Sequence, residues 1–465
     1  MRPNILWICT DQQRWDTVAA LGNPYIRTPN IDRLVREGAA FDHAFCQSPI
    51  CTPSRASFLT GRYPSTVHGT CNGNTVWGEG APLISKLLAD AGFDCGLVGK
   101  FHLAGGFKRL EPRPVDDGYR VFEWSHAPRD DWPAGHAWRD WVAAHGRDLG
   151  ELCRDMTAFP VELHRETWCT TRAIDFIETE RPPGQPWLLS INYYYPHPPF
   201  TPPREYLERY DPQEMPGPLF RESDLEAQRA LSAIDFQSDV RRPDEFDARG
   251  VQAAYYGMIE QLDDQLGRLL ESLERSGQRE NTLILFTSDH GETLGDHGLL
   301  QKGCRFYDGL VRVPLIWSWP GQVQAGLRSS ALTELTDIFP TLLEACGLEA
   351  PEGTQGRSLW PILTGAADAQ QHRDFVRCEY YRTLLDNDRG FEGSYATMYR
   401  DRRYKLVRYH GHALGELFDL QEDPGEFDNL WDDPACASIR MDLLQRSFDA
   451  LAFAVDTGPP QNFFS

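Results

Sequence analysis

Four short segments of the chain carry side chains that could do chemistry together. Asp11 and Gln12 end one apolar run, Lys100 and His102 follow a second, His197 follows a third, and Asp289 and His290 follow a fourth. Two carboxylates, an amide oxygen and an imidazole suit a hard divalent cation such as Ca²⁺ or Mg²⁺ better than structural zinc. The lysines and remaining histidines add fixed positive charge and groups that titrate near neutral pH. A plainer reading stands beside each pair, because a lone Asp after a strand commonly caps a helix or shapes a turn. Two such pairs at equivalent positions weigh against it. A fifth segment, Cys51-Thr52-Pro53-Ser54-Arg55, reads as a helix start, with Pro53 in the first turn, where its missing N–H costs nothing. A cysteine there lies in positive dipole potential, ready to act as an anionic nucleophile or metal ligand. On physical grounds alone, a buried inert thiol is the commoner fate of such a residue.

The elements that must position these groups are legible as apolar runs. Asn4–Cys9, Asp94–Val98, Trp187–Tyr193, Asn281–Thr287 and Val313–Trp317 read as buried strands. Ala81–Ala91, Thr167–Glu180, Gln252–Ser276 and Thr336–Cys346 have helical spacing. The alternation predicts an α/β fold with a large, mixed, mostly parallel sheet sandwiched by helices. Ligands bind beyond the carboxyl ends of the strands in such sheets, which is where all four segments fall. Arg109–Phe159 and Pro196–Arg249 read as long surface excursions. After Leu363 the pattern changes. Ser394–Tyr399 and Tyr404–Tyr409 flank a polar turn as a hairpin, with Glu416–Leu420 as a third strand. The expected organisation is therefore a large domain over 1–365 and a small C-terminal α+β subdomain with an antiparallel sheet over 366–465.

Composition removes several classes of function. Among 465 residues, 46 Lys and Arg stand against 68 Asp and Glu, a net charge of −22. That balance lacks the electrostatic footprint of a nucleic-acid or anionic-membrane binder, so positive charge for an anionic substrate must be local. Eleven cysteines without CxxC spacing argue against a disulfide framework or a zinc ribbon. The opening MRPNILWICTDQQ is too short and wrongly flanked for a secretory signal, and no stretch approaches the length of a membrane span. The expectation is a soluble cytoplasmic protein, or a periplasmic one where a leader preceded this sequence. A homo-oligomer is compatible with the sequence and is not read from it.

Cys51-x-Pro53-x-Arg55, followed by Ser57-Phe58-Leu59-Thr60-Gly61-Arg62-Tyr63-Pro64, resembles the signature of the type I, formylglycine-dependent sulfatases of the alkaline phosphatase superfamily. The likeness runs through the chain. Thr28-Pro29-Asn30-Ile31-Asp32-Arg33-Leu34, Gly99-Lys100-Phe101-His102-Leu103, Thr287-Ser288-Asp289-His290-Gly291-Glu292, Gly295-Asp296-His297-Gly298, Lys302 and Arg312-Val313-Pro314-Leu315 are each similar to an element of that family. So are Tyr404-Lys405-Leu406, Glu416-Leu417-Phe418-Asp419-Leu420 and Asp423-Pro424 in the tail.

The resemblance implies a sulfuric ester hydrolase, with the first domain catalytic. In that family Cys51 would be oxidised to formylglycine by a formylglycine-generating enzyme, then hydrated, one oxygen binding the cation and attacking sulfur. Asp11, Gln12, Asp289, His290 and residue 51 would hold Ca²⁺, with Mg²⁺ or Mn²⁺ as alternatives. Arg55 would stabilise the nucleophile, Lys100 and Lys302 would clamp sulfate oxygens, His197 would protonate the leaving alcohol, and His102 would act as the base that expels sulfate. Gln12 departs from the second Asp of many sulfatases and also occurs in phosphonate monoester and phosphodiester hydrolases of the superfamily, which supply the alternative function. A catalytically silent anion-binding protein is disfavoured because nucleophile, ligands and both lysines are present. His68, Asn72 and Asn74 form either a turn or part of a substrate pocket, and Asn72 and His297 are included as substrate-binding candidates. Asp296 and His297 either touch substrate or support the metal. Trp124, Trp132, Trp138 and Trp141 form either an aryl- or sugar-binding wall or a packing surface.

Overall fold

The computed structural model describes residues 2–72, 81–103, 113, 116–127, 136–381 and 393–455. The strands in chain order are β1 (Asn4–Thr10), β2 (Ala39–Phe45), β3 (Asp94–Gly99), β4 (Val121–Trp124), β5 (Trp187–Asn192), β6 (Thr282–Ser288), β7 (Arg312–Val313), β8 (Leu315–Ser318), β9 (Leu327–Glu334), β10 (Val376–Tyr381), β11 (Tyr395–Arg400), β12 (Tyr404–Tyr409) and β13 (Gly415–Asp419). Nine form one sheet in the order β4-β3-β5-β1-β6-β8-β2-β7, with β9 also paired to β2. The run β4-β3-β5-β1-β6 is parallel throughout. β8 is antiparallel to both β6 and β2, so β2 points the same way as the parallel strands.

Both faces of the sheet are covered, which explains the unbroken apolar runs. In β1, Ile5, Trp7 and Cys9 enter one core while Leu6 and Ile8 enter the other. Leu285 and Phe286 of β6 divide in the same way. The first core receives Phe58 and Leu59 of the helix Cys51–Thr60, Ile84 and Leu88 of Ile84–Asp90, and Ile338 and Leu342 of Ile338–Ala345. The second receives Trp168 and Ala173 of Arg165–Asp175, and Met258, Leu262 and Leu266 of the long helix Ala248–Arg275. A four-stranded antiparallel sheet, β10-β11-β12-β13, lies near the C-terminus. One face carries the helix Ala437–Ala452 through Leu443 and Ala450. Its other face places Val376, Cys378, Met398 and Val407 in the first core of the main sheet.

Several expectations need correction. Val313–Trp317 is two short strands rather than one, because Pro314 has no N–H to give a ladder and the break falls there. Arg109–Phe159 is not merely a surface excursion: it supplies the edge strand β4, and Trp138 is fully buried, stacked 5.6 Å from Phe159 with its indole N–H on the Leu163 carbonyl. Trp124 is likewise buried and Trp141 half-buried, so these tryptophans are packing residues. Trp132 and Asn74 lie outside the described residues. Among the described residues, no helix is long and apolar enough to cross a membrane.

Candidate active site

The carboxyl ends of β1, β2, β3, β5 and β6 meet at one rim. Asp11 leaves β1, Lys100 leaves β3, His197 lies five residues beyond β5, and Asp289 leaves β6. The turn into Lys100 needs glycine: Gly99 has φ +102°, and a Cβ there would sit 2.0 Å from the Asn192 carbonyl oxygen. Gln12 and His102 also adopt left-handed backbone, with φ of 72° and 55°. Such conformations persist only where neighbours impose them. For Gln12, its N–H donates to Asp289 Oδ1 at 3.0 Å and its carbonyl accepts from the Tyr255 hydroxyl at 2.6 Å.

Cys51 opens a helix buried along its whole length, which points its N-terminus at the same rim. Asn72 Oδ1 accepts from the Thr52 N–H at 2.9 Å, satisfying one of the orphan donors of the first turn. Gly61, with φ +68°, closes the other end. The Cys51 sulfur lies 2.9 Å from Lys302 Nζ, 3.2 Å from His290 Nε2, 3.6 Å from Lys100 Nζ and 3.6 Å from Asp11 Oδ1. Ligand atoms of Asp11, Cys51, Asp289 and His290 all lie within 4.8 Å of one another. His290 Nδ1 is 2.8 Å from the Gly291 carbonyl, an acceptor only, so Nδ1 carries a proton and Nε2 faces the cluster, where the Asp289 and Cys51 charges raise the imidazole above its ordinary range despite burial.

Charge compensation around this cluster is dense. Lys100 Nζ pairs with Asp11 Oδ2, and Arg55 Nε with Asp289 Oδ2 at 2.8 Å. Removing one partner of such a buried pair costs about 3–5 kcal/mol. Arg55 also donates to the Lys100 carbonyl at 3.0 Å, while its Nη2 is buried without a hydrogen-bond partner. Burial raises the Asp11 carboxyl, but Lys100, His197, Lys302 and Arg55 outweigh it and hold the group well below the usual carboxylate range. Asp289 moves the other way, raised by burial and by the Asp11 charge. Burial and Asp11 push the Cys51 thiol up, yet Lys100, Lys302 and His290 bring it down to about 5. Burial and Lys302 hold His197 well below its ordinary range; burial, Lys100 and Arg55 do the same to His102.

Sequence reasoning missed Glu292. Its buried carboxylate accepts from Gln12 Nε2, while Gln12 Oε1 accepts from Lys302 Nζ at 2.7 Å. A carboxylate can only accept and an ammonium can only donate, so the amide orientation is determined, with its oxygen facing the cluster. The signal was the Glu in Asp289-His290-Gly291-Glu292, which has no ligand spacing of its own. His297 is not brought into the cluster. Its ring stacks 3.8 Å from Tyr307 and lies 3.3 Å from Asp224 Oδ1. Asn72 serves the helix start, and His68 is exposed beyond it with φ 56°. Asp296 is tied to Arg14 at 2.7 Å.

A family model described as Sulfatase matches residues 3–348. The chain belongs to the sulfatase family. A second model, the C-terminal part of N-sulphoglucosamine sulphohydrolase, matches residues 295–451 of this sulfatase. The chain is 32% identical to a multifunctional alkaline phosphatase superfamily protein, PehA, of Trinickia caryophylli, over 96% of this chain and 94% of that protein. It is 29% identical to an arylsulfatase of Clostridium perfringens, over 92% and 90% of the two chains. The crystal structure of a phosphonate monoester hydrolase of Agrobacterium radiobacter superposes with a TM-score of 0.85 at 26% identity, covering 98% of this chain and 96% of that one. The sulfatase thus has the alkaline phosphatase superfamily fold and is an enzyme of the sulfuric ester hydrolase class.

Proposed function

We propose that this sulfatase cleaves a sulfate ester with residue 51 as nucleophile, matured from cysteine to formylglycine by a dedicated generating enzyme, beside one divalent cation, Ca²⁺ first and Mg²⁺ or Mn²⁺ as alternatives. The observation that carries this reading is the Cys51 side chain, ringed at a helix N-terminus by two carboxylates, an imidazole nitrogen and two ammonium groups. The donors fit a hard cation: Asp11, Asp289, Gln12 Oε1 and His290 Nε2 are mostly oxygen, and the Lys302 ammonium already sits among them, 2.7 Å from the amide oxygen and 3.2 Å from the imidazole nitrogen. When bound, the cation supplies charge neutralisation on sulfate oxygens and lowers the pKa of an oxygen nucleophile, and the oxidised side chain supplies that oxygen.

The chain's own residues do the rest. Arg55 Nη2, 3.6 Å from Asp11 Oδ2 and without a hydrogen bond of its own, is assigned to the oxygen at residue 51. Lys100 and Lys302 bring point charges to where negative charge gathers. His197 holds its Nδ1 against the Pro198 carbonyl at 2.7 Å, which leaves Nε2 to protonate the departing alcohol. His102, held neutral, is the base that resets residue 51.

Glu292 acts through Gln12. Glu292→Gln would leave Lys302 as the one charged group orienting the Gln12 amide, so cation affinity, measured by titration against a chelator, is expected to fall by about tenfold. Unchanged affinity would show that the carboxylate does not set the amide.

A second reading, phosphonate monoester hydrolysis, draws support from Gln12 in place of a second carboxylate and from the likeness to the Agrobacterium enzyme. Lys100 and His102 favour sulfate. Parallel turnover of an aryl sulfate and an aryl phosphonate monoester separates the two. The sulfate ester is expected to show the higher kcat/KM, and a phosphonate value far above it would overturn the preference.

A further inference from the structure

Just outside the cluster lies a buried cation with an incomplete set of partners. Arg165, at the start of the helix Arg165–Asp175, is 1% exposed. Nε donates to Ser125 Oγ at 2.9 Å and Nη2 to the Ser125 carbonyl at 2.8 Å, while Nη1 is buried without a hydrogen-bond partner. Arg55, as secluded as Arg165, and Arg14 and Arg373, each 8% exposed, meet a carboxylate, whereas the buried Arg305 is completed by Gln228 and two carbonyls. The adjacent carboxylate, Glu166, accepts from the Tyr195 N–H at 3.1 Å and lies 2.9 Å from His164 Nδ1; the Arg165 charge helps to hold it ionised, without a hydrogen bond between the two. A desolvated guanidinium with one nitrogen unbonded and no carboxylate hydrogen-bonded to it is incompletely satisfied.

Its position shows what would finish it. The guanidinium lies 4.9 Å from the Tyr194 ring centre. The same ring is 5.5 Å from Lys100 Nζ and 4.6 Å from the His197 ring. The half-buried His126, whose ring is 4.5 Å from that of His102, feels the positive charge of Arg165. Arg165, Lys100 and His197 thus all neighbour the one Tyr194 ring.

We propose that Arg165 is a specificity-determining residue that binds a second anionic group, carried on the alcohol portion of the substrate, so that the preferred esters are dianions. This rests on the sulfate-ester reading for the identity of the reacting group. A planar fork already held at two donors by Ser125 is preorganised for a carboxylate or a second sulfate.

The test uses phenyl sulfate, para-carboxyphenyl sulfate and hydroquinone bis-sulfate. Binding is measured by calorimetry on cation-loaded Cys51→Ala protein, which turns none of them over. The two dianions are expected to bind about tenfold more tightly than phenyl sulfate, and the stronger of the two identifies the second group. Arg165→Met in the same background should bring the affinity ratio to about one, with Arg165→Gln serving if the methionine variant does not fold. Arg165→Lys should keep part of the preference. Equal binding of monoanion and dianions, or an Arg165 substitution that weakens all three alike, would overturn the proposal. Turnover by the unsubstituted enzyme is read separately: a binding preference without hydrolysis of any ester would sink the sulfate reading and leave the Arg165 assignment standing.

Discussion

Cys51→Ala is expected to lower kcat for an aryl sulfate by at least about four orders of magnitude, the scale of removing a covalent nucleophile. The reason is positional. Sγ lies against both lysines and His290, at 2.9 Å from Lys302, 3.6 Å from Lys100 and 3.2 Å from His290. The hydroxyl of Ser54, three residues on in the motif, donates to the Asp289 carbonyl. Cys46→Ala is the control, since Cys46 is packed in the first core with Cys378 and meets no member of the cluster. Activity near the parent level in Cys46→Ala, with none measurable in Cys51→Ala, is the expected pair of results in steady-state assays. Equal residual activity in both would move the nucleophile elsewhere.

Stripping the divalent cation with a chelator is expected to abolish turnover reversibly while the protein stays folded. Three cationic side chains already balance the two buried carboxylates: Lys100 on Asp11, Arg55 on Asp289, and Lys302 among the remaining donors. The fold therefore does not hold an unpaired carboxylate when the cation leaves. Cation binding still adds stability by mass action, about 4 kcal/mol when the free cation stands at a thousand times its Kd. A thermal melt should therefore rise by several degrees on adding Ca²⁺, in step with recovered activity. Full activity after exhaustive chelation, with metal content below one per hundred chains by elemental analysis, would remove the cation from the account.

How far the sequence foretold this molecule follows from which residues face two cores. β1, β3, β5 and β6 are buried on both sides, so their apolar runs were visible, and the reactive residues at their ends marked the rim. β2 was not visible because Asp42 and His43 interrupt its apolar run, and β9 because Arg328 and Ser330 alternate towards solvent. The helix predicted from Gln252 begins four residues earlier, where Asp247 accepts from the Gly250 N–H. At the site, Asp11, Cys51, Asp289 and His290 come together from positions up to 279 residues apart because strand order, not sequence distance, places them. Glu292 and Arg165 were out of reach of pattern reading. One bonds an amide whose orientation matters and the other keeps one buried nitrogen unbonded, and both properties exist only in three dimensions.

The most direct test is the mass of the peptide containing residue 51, taken from fully active protein. The aldehyde form, in which CHO replaces CH₂SH, should appear there, its fraction rising and falling with specific activity across preparations made with and without the maturing enzyme. Active protein carrying only the unmodified thiol at residue 51 would contradict the mechanism.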